Sequence, residues 1–133
     1  MSVASVCILY TQDPDLARRV KAYLRSMASV RHVTDPNRLE AVLQQNSPAV
    51  VLMDLRAKDC RELLDLLERD WVESLVVALG APRSEPLRDA EQSAIYAAED
   101  LQLDRHRFQS LLGRAFDHLR LMQQNRDLRE QSY

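Results

Sequence analysis

Pro48-Ala49-Val50-Val51-Leu52-Met53-Asp54 decides the fold of this chain. The apolar run from Ala49 to Met53 has no polar face, and a strand reads this way when both faces are covered, as in the centre of a parallel sheet. It ends on Asp54, an acid with no hydrophobic reason to stand there. In open sheets of this class, ligands and chemistry gather at the carboxyl ends of the strands, beside the point where strand order reverses.

The pattern repeats on both sides of this strand. Residues 3–10 read as a buried strand, and Asp13-Pro14 supplies an N-cap and first-turn proline for a helix with Leu16, Val20 and Leu24 on one face. Residues 30–33 form a short strand, and Asp35-Pro36 repeats the helix start before Leu39, Val42 and Leu43. Downstream, Leu63, Leu64, Leu66 and Leu67 mark a third helix, and residues 75–79 a strand ending at Gly80. Residues 82–93 hold Pro82 and Pro86 and predict a short or irregular fourth helix, followed by a brief fifth strand over 94–98. Phe108, Leu111, Leu112, Ala115, Phe116, Leu119 and Met122 then define a long amphipathic helix that no Gly or Pro stops. Strands alternating with helices at this length predict an α/β fold, a three-layer doubly wound domain on a five-stranded parallel sheet. The expected boundaries are a domain over 1–117 and a C-terminal helical linker over 118–133.

Composition narrows the function. The 133 residues, 46% hydrophobic and 29% charged, suffice for one core and exclude a multi-domain enzyme. Lys+Arg 18 against Asp+Glu 20 gives a net charge of -2, so no basic field is available for direct nucleic-acid binding. Gly80 and Gly113 are the only glycines, where average usage would give about nine. A phosphate-cradling P-loop or GxGxxG turn cannot be built from them. Cys7 and Cys60 lack ligand spacing and read as small buried thiols in a reducing interior. No basic leader is present and no apolar run approaches the roughly 18 residues of a membrane span, so a cytoplasmic protein without membrane attachment is expected. His32, His106 and His118 form no metal-ligand spacing with Cys or Asp, and no Ser stands in a His/Asp set. Catalysis beyond accepting a phosphoryl group is not expected.

Two stretches resemble a known family. Cys7-Ile8-Leu9-Tyr10-Thr11-Gln12-Asp13-Pro14-Asp15-Leu16 and Pro48-Ala49-Val50-Val51-Leu52-Met53-Asp54-Leu55-Arg56 resemble the first and third strands of response-regulator receiver domains. The likeness covers nearly the whole chain. Its last part, Leu103-Asp104-Arg105 through Leu119, Met122, Asn125, Arg126, Leu128 and Arg129, is similar to the final helix and linker of receivers that precede the ATPase domain in NtrC-type transcription activators. The resemblance implies the flavodoxin-like, CheY-like strand order 2-1-3-4-5. It also implies Asp54 as phosphoacceptor, magnesium as cofactor, a histidine kinase as donor, and downstream ATPase and DNA-binding domains in a longer chain.

Receiver chemistry sets physical requirements. A carboxylate attacks phosphorus, a divalent cation held by neighbouring acids offsets the charge, and a lysine and a hydroxyl hold the transferred oxygens. Here the two positions the family fills with acids are Thr11 and Gln12, which offer oxygen but no charge. Asp13 substitutes only if the loop shifts, and its simpler task is capping the first helix. Gly80 stands at the switch hydroxyl, and Glu99 at the phosphate-pairing lysine, a reversal of sign. Tyr96 matches the aromatic switch position, where a half-buried tyrosine at a strand edge serves equally well. The expectation is a degenerate receiver with weak or absent magnesium binding and weak or absent phosphorylation at Asp54. The alternative is a conventional receiver phosphorylated there by a histidine kinase. A flavin or nucleotide binder on the same fold lacks its phosphate loop.

The end of the chain carries a second signal. His118, Leu121, Asn125 and Leu128 follow 3-4-3 spacing, with His118 and Asn125 at a and the leucines at d of a coiled coil. This predicts a parallel homodimer controlling an attached output domain; an ordinary final helix with a polar tail accounts for the same spacing.

Overall fold

The structure is a computed structural model in which residues 5–46, 49–70, 73–80 and 95–131 are described, the side chains of 126–131 excepted. The predicted fourth helix over 82–93, Pro48, and residues 3 and 4 of the first predicted strand lie outside the described residues.

Five strands form one sheet: β1 (Val6–Tyr10), β2 (Ser29–Val33), β3 (Val50–Asp54), β4 (Leu75–Leu79) and β5 (Ile95–Glu99). Their order is β2-β1-β3-β4-β5 and every neighbouring pair is parallel. As the Ala49–Met53 run requires, β3 lies at the centre with all five residues buried. Edge strand β5 alternates half-buried and exposed positions. The strand limits differ slightly from the hydrophobic pattern because backbone pairing sets them: β1 leaves out Ser5, β3 begins after Ala49, and β2 and β5 take in Ser29 and Glu99. Ser29 pairs with Val6, and Glu99 pairs with Leu79.

The helices are α1 (Pro14–Tyr23), α2 (Pro36–Asn46), α3 (Cys60–Asp70) and α4 (Arg105–Gln131). Side chains of a strand alternate between faces. Ile8, Tyr10, Val51 and Met53 therefore meet Leu39 and Leu43 of α2 and Leu63, Leu64 and Leu67 of α3. Cys7, Leu9, Val50 and Leu52 meet Leu16 and Val20 of α1 and Phe108, Leu112, Ala115 and Leu119 of α4. Three layers result. Both proline starts are capped as their sequences dictate: Asp13 accepts from the Asp15 and Leu16 amides, and Asp35 from the Arg38 amide.

The connection from β5 to α4 is fixed by the neighbouring helix of the same layer. Arg19 of α1 donates to the Leu101 and Gln102 carbonyls at 2.8 and 3.3 Å. Next to them Leu103 takes φ 46°, a left-handed conformation costing about 1–2 kcal/mol for a residue with a Cβ. Burial of the Leu103 side chain between the sheet and α4 opposes that strain.

Candidate functional site

The site grows from the β1–β3 pairing. Tyr10 and Met53 are partners in register, so the next residues, Thr11 and Asp54, emerge side by side at the carboxyl edge of the sheet. Both are buried, at 0% and 2% exposure. Such burial is tolerated only where polar atoms find partners. The Thr11 hydroxyl donates to Asp54 Oδ2 at 2.6 Å, while Thr11 Oγ1 accepts from the Asp13 amide at 3.0 Å.

Arg56 supplies the charge. The chain turns back after β3, with the Ala57 amide donating to the Asp54 carbonyl. The Arg56 amide and Nε donate to Asp54 Oδ1 at 2.9 and 3.1 Å, and Nη2 to Oδ2 at 3.0 Å. The same Nη2 lies 3.0 Å from Asp13 Oδ2. Asp13 is thus divided: Oδ1 caps α1 and Oδ2 faces the guanidinium. A carboxylate offers about four acceptor directions. Asp54 receives one bond from Thr11 and three from Arg56. The Arg56 hydrogen bond holds the Asp13 carboxyl below its ordinary range, and the bond to Asp54 raises the guanidinium.

This arrangement does not fit a magnesium ion. Magnesium takes oxygen ligands at about 2.0–2.1 Å in near-octahedral geometry. The place between the Asp13 and Asp54 carboxylates is taken by Arg56 Nη2, and Thr11 adds a neutral hydroxyl. Gln12 does not join the cluster, since its amide donates to the Thr34 carbonyl. Among the described residues no cluster of three or more His, Cys, Asp or Glu side chains could hold a metal ion.

The residues that the resemblance assigns to switch positions are spread along the neighbouring strands. Gly80 follows β4, with its amide donating to the Glu99 carbonyl. A Cβ built there would stand 2.9 Å from Leu55 Cβ. The space beside the missing side chain is thus filled by buried Leu55. Glu99 pairs with Arg107 of α4 at 3.2 Å. Tyr96, 36% exposed, stacks on His118 with ring centroids 5.5 Å apart. Beyond it Leu121 is 59% exposed and Asn125 is exposed, while the Leu128 side chain lies outside the described residues.

Thr11, Asp13 and Asp54 are therefore brought together; Gln12, Tyr96 and Glu99 make contacts elsewhere. Sequence reasoning includes Arg56 and Leu55 in the stretch that ends the central strand but gives neither a role. A long cation two residues after a strand-terminal acid, in a chain with neutral Thr11 and Gln12, was the available signal for the first. For the second it was an apolar residue just past a strand whose neighbour ends in glycine.

No family model and no curated protein matches the sequence. Solved structures do match the fold. A signal receiver domain of an HD domain-containing protein from Pseudomonas fluorescens Pf-5 superposes with a TM-score of 0.83 at 14% identity, covering 93% of this chain and 95% of that one. The N-terminal signal receiver domain of a two-component response regulator from Bacteroides fragilis gives 0.72 at 20% identity, covering 88% and 98%. NtrX from Brucella abortus, in complex with ADP, gives 0.85 at 21% identity over 98% of this chain and 30% of its own. The chain has the fold of response-regulator signal receiver domains. Its likeness to NtrX, a much longer protein, extends to nearly all of the described chain, α4 included.

Proposed function

We propose that this chain is an atypical receiver-type signalling module that regulates an attached output domain through dimerisation, with phosphorylation at Asp54 weak or absent. The observation that carries the reading is the saturation of Asp54 by Thr11 and Arg56. A nucleophilic carboxylate needs a lone pair directed at phosphorus and a cation to offset the incoming charge. Here the lone pairs are engaged, magnesium binding is expected to be weak or absent, and Glu99 replaces a lysine. The NtrX likeness, over 30% of that protein, supports a place within a longer chain; the sequence resemblance to NtrC-type activators adds a downstream ATPase and DNA-binding region in a cytoplasmic regulator. The projecting α4, with His118, Leu121, Asn125 and Leu128 at heptad spacing, supports a parallel homodimer.

Incubation with magnesium and acetyl phosphate or beryllofluoride tests this, with Asp54→Asn as control and light scattering for oligomeric state. No Asp54-dependent adduct and an unchanged oligomer are expected. A magnesium-dependent adduct at Asp54 that shifts the dimer equilibrium would overturn the reading. That result would favour the second one, a conventional receiver that accepts phosphate at Asp54 from a histidine kinase, a reading supported by the position of Asp54 at the end of the central strand.

A further inference from the structure

We infer that Arg56 is the resident cation of this site, a side chain standing in for a divalent metal and keeping both carboxylates paired with positive charge whether or not magnesium is present. The inference rests on the atypical reading of Asp54 and adds its regulation. One nitrogen, Arg56 Nη2, lies 3.0 Å from both Asp13 Oδ2 and Asp54 Oδ2, the bridging position a cation between two carboxylates takes. The remainder of the guanidinium and the Arg56 amide close the other Asp54 oxygen.

Two features show the position to be built. Asp54 is 2% exposed and needs a neutralising partner. Among the described residues, the cations paired with it and with Asp13 are one and the same guanidinium. The second is that the anionic partners are themselves fixed: Thr11 holds Asp54 Oδ2, and the α1 amides hold Asp13 Oδ1. The guanidinium therefore sits in a preformed acidic fork, and the charge balance differs from that of a metal site. Asp13 and Asp54 together carry two negative charges and Arg56 returns one. A dication added to the occupied fork would meet a like charge at close range, which opposes its entry. Solution magnesium then has no differential contact through which to shift the domain between states.

Removal of Arg56 should convert the fork into a cation site. The experiment uses the full 133-residue chain as wild type, Arg56→Ala, Arg56→Met and Arg56→Ala/Asp54→Asn. Manganese is titrated and followed by electron paramagnetic resonance, and melting temperatures are recorded with and without magnesium. Wild type should bind weakly or not at all and melt at a temperature independent of magnesium. The Arg56 variants should bind manganese about tenfold tighter or more. Their melting temperatures should rise with magnesium, and Asp54→Asn should abolish the gain.

Manganese binding to wild type as tight as to the Arg56 variants overturns the inference. So does a folded Arg56→Ala or Arg56→Met chain that gains none. In that last case, a wild type inert to phosphodonors leaves the atypical reading standing, with the loss of acids at Thr11 and Gln12 as its cause. If neither variant folds, the wild-type titration still decides: magnesium-dependent melting overturns the inference and magnesium-independent melting supports it.

Discussion

Leu55 and Gly80 share one space: the Cβ that any other residue would place at position 80 comes within 2.9 Å of Leu55 Cβ. Backbone bonds hold the two close, since the Leu55 amide donates to the Leu79 carbonyl and the Gly80 amide to the Glu99 carbonyl. Gly80→Ser, which adds a Cβ and a hydroxyl there, should therefore lower stability by about 1–3 kcal/mol through overpacking. Leu55→Ala alone should cost about 2–4 kcal/mol as a cavity. The double variant should lose less than the two combined, and strictly additive urea midpoints would show that the space is not shared.

The Asp54–Arg56 pair makes a second prediction. Arg56→Met leaves a buried carboxylate without its cation and should cost about 1–3 kcal/mol. Asp54→Asn in the same background removes the stranded charge. Chemical denaturation of the four chains should give a coupling of about 1–3 kcal/mol, and a coupling near zero would mean that the pair is ornamental.

Acid should act through Asp13. Its folded carboxyl is held below the ordinary 3.8 by the Arg56 bond and, opposed by desolvation, by the α1 amides. A depressed folded value means a stabilising contribution present above 3.8 and lost as pH falls through the folded value. The melting temperatures of wild type and Asp13→Asn should hence differ by a constant amount near neutrality and converge in acid. A gap that widens as pH falls contradicts this.

Both thiols should be silent in the native state. Cys7 and Cys60 are free and buried, and burial raises both thiol pKa values, leaving little thiolate. A chromogenic disulfide reagent should modify neither on the timescale in which it modifies both in denaturant. Rapid native labelling of Cys7 would contradict the packing of β1 against α1 and α4.

Much of the fold was legible because it rests on signals local in the chain. The run before Asp54 announces a central strand, and Asp-Pro at 13–14 and 35–36 announces two helix starts. The places of Thr11, Gln12, Gly80 and Glu99 at strand ends were visible from the same signals. Arg56 was not, because an arginine in a loop has many directions open to it. Its direction is set by the turn after β3 and by Asp13, 43 positions away in sequence. The contact between Leu55 and Gly80 was hidden for a similar reason: strand pairing brings the two together, not sequence proximity.

Among the described side chains Met122 is the last of α4 packed on the sheet layer, and the helix backbone continues to Gln131. At the α-helical rise that stretch is about 13 Å long. A rod held at its base is a lever arm. Tilting α4 by about ten degrees there swings the far end of that stretch by about 2 Å. A shift in how Phe108 or Phe116 seats in the core, too small to alter the sheet, would arrive enlarged at whatever is joined to the tip.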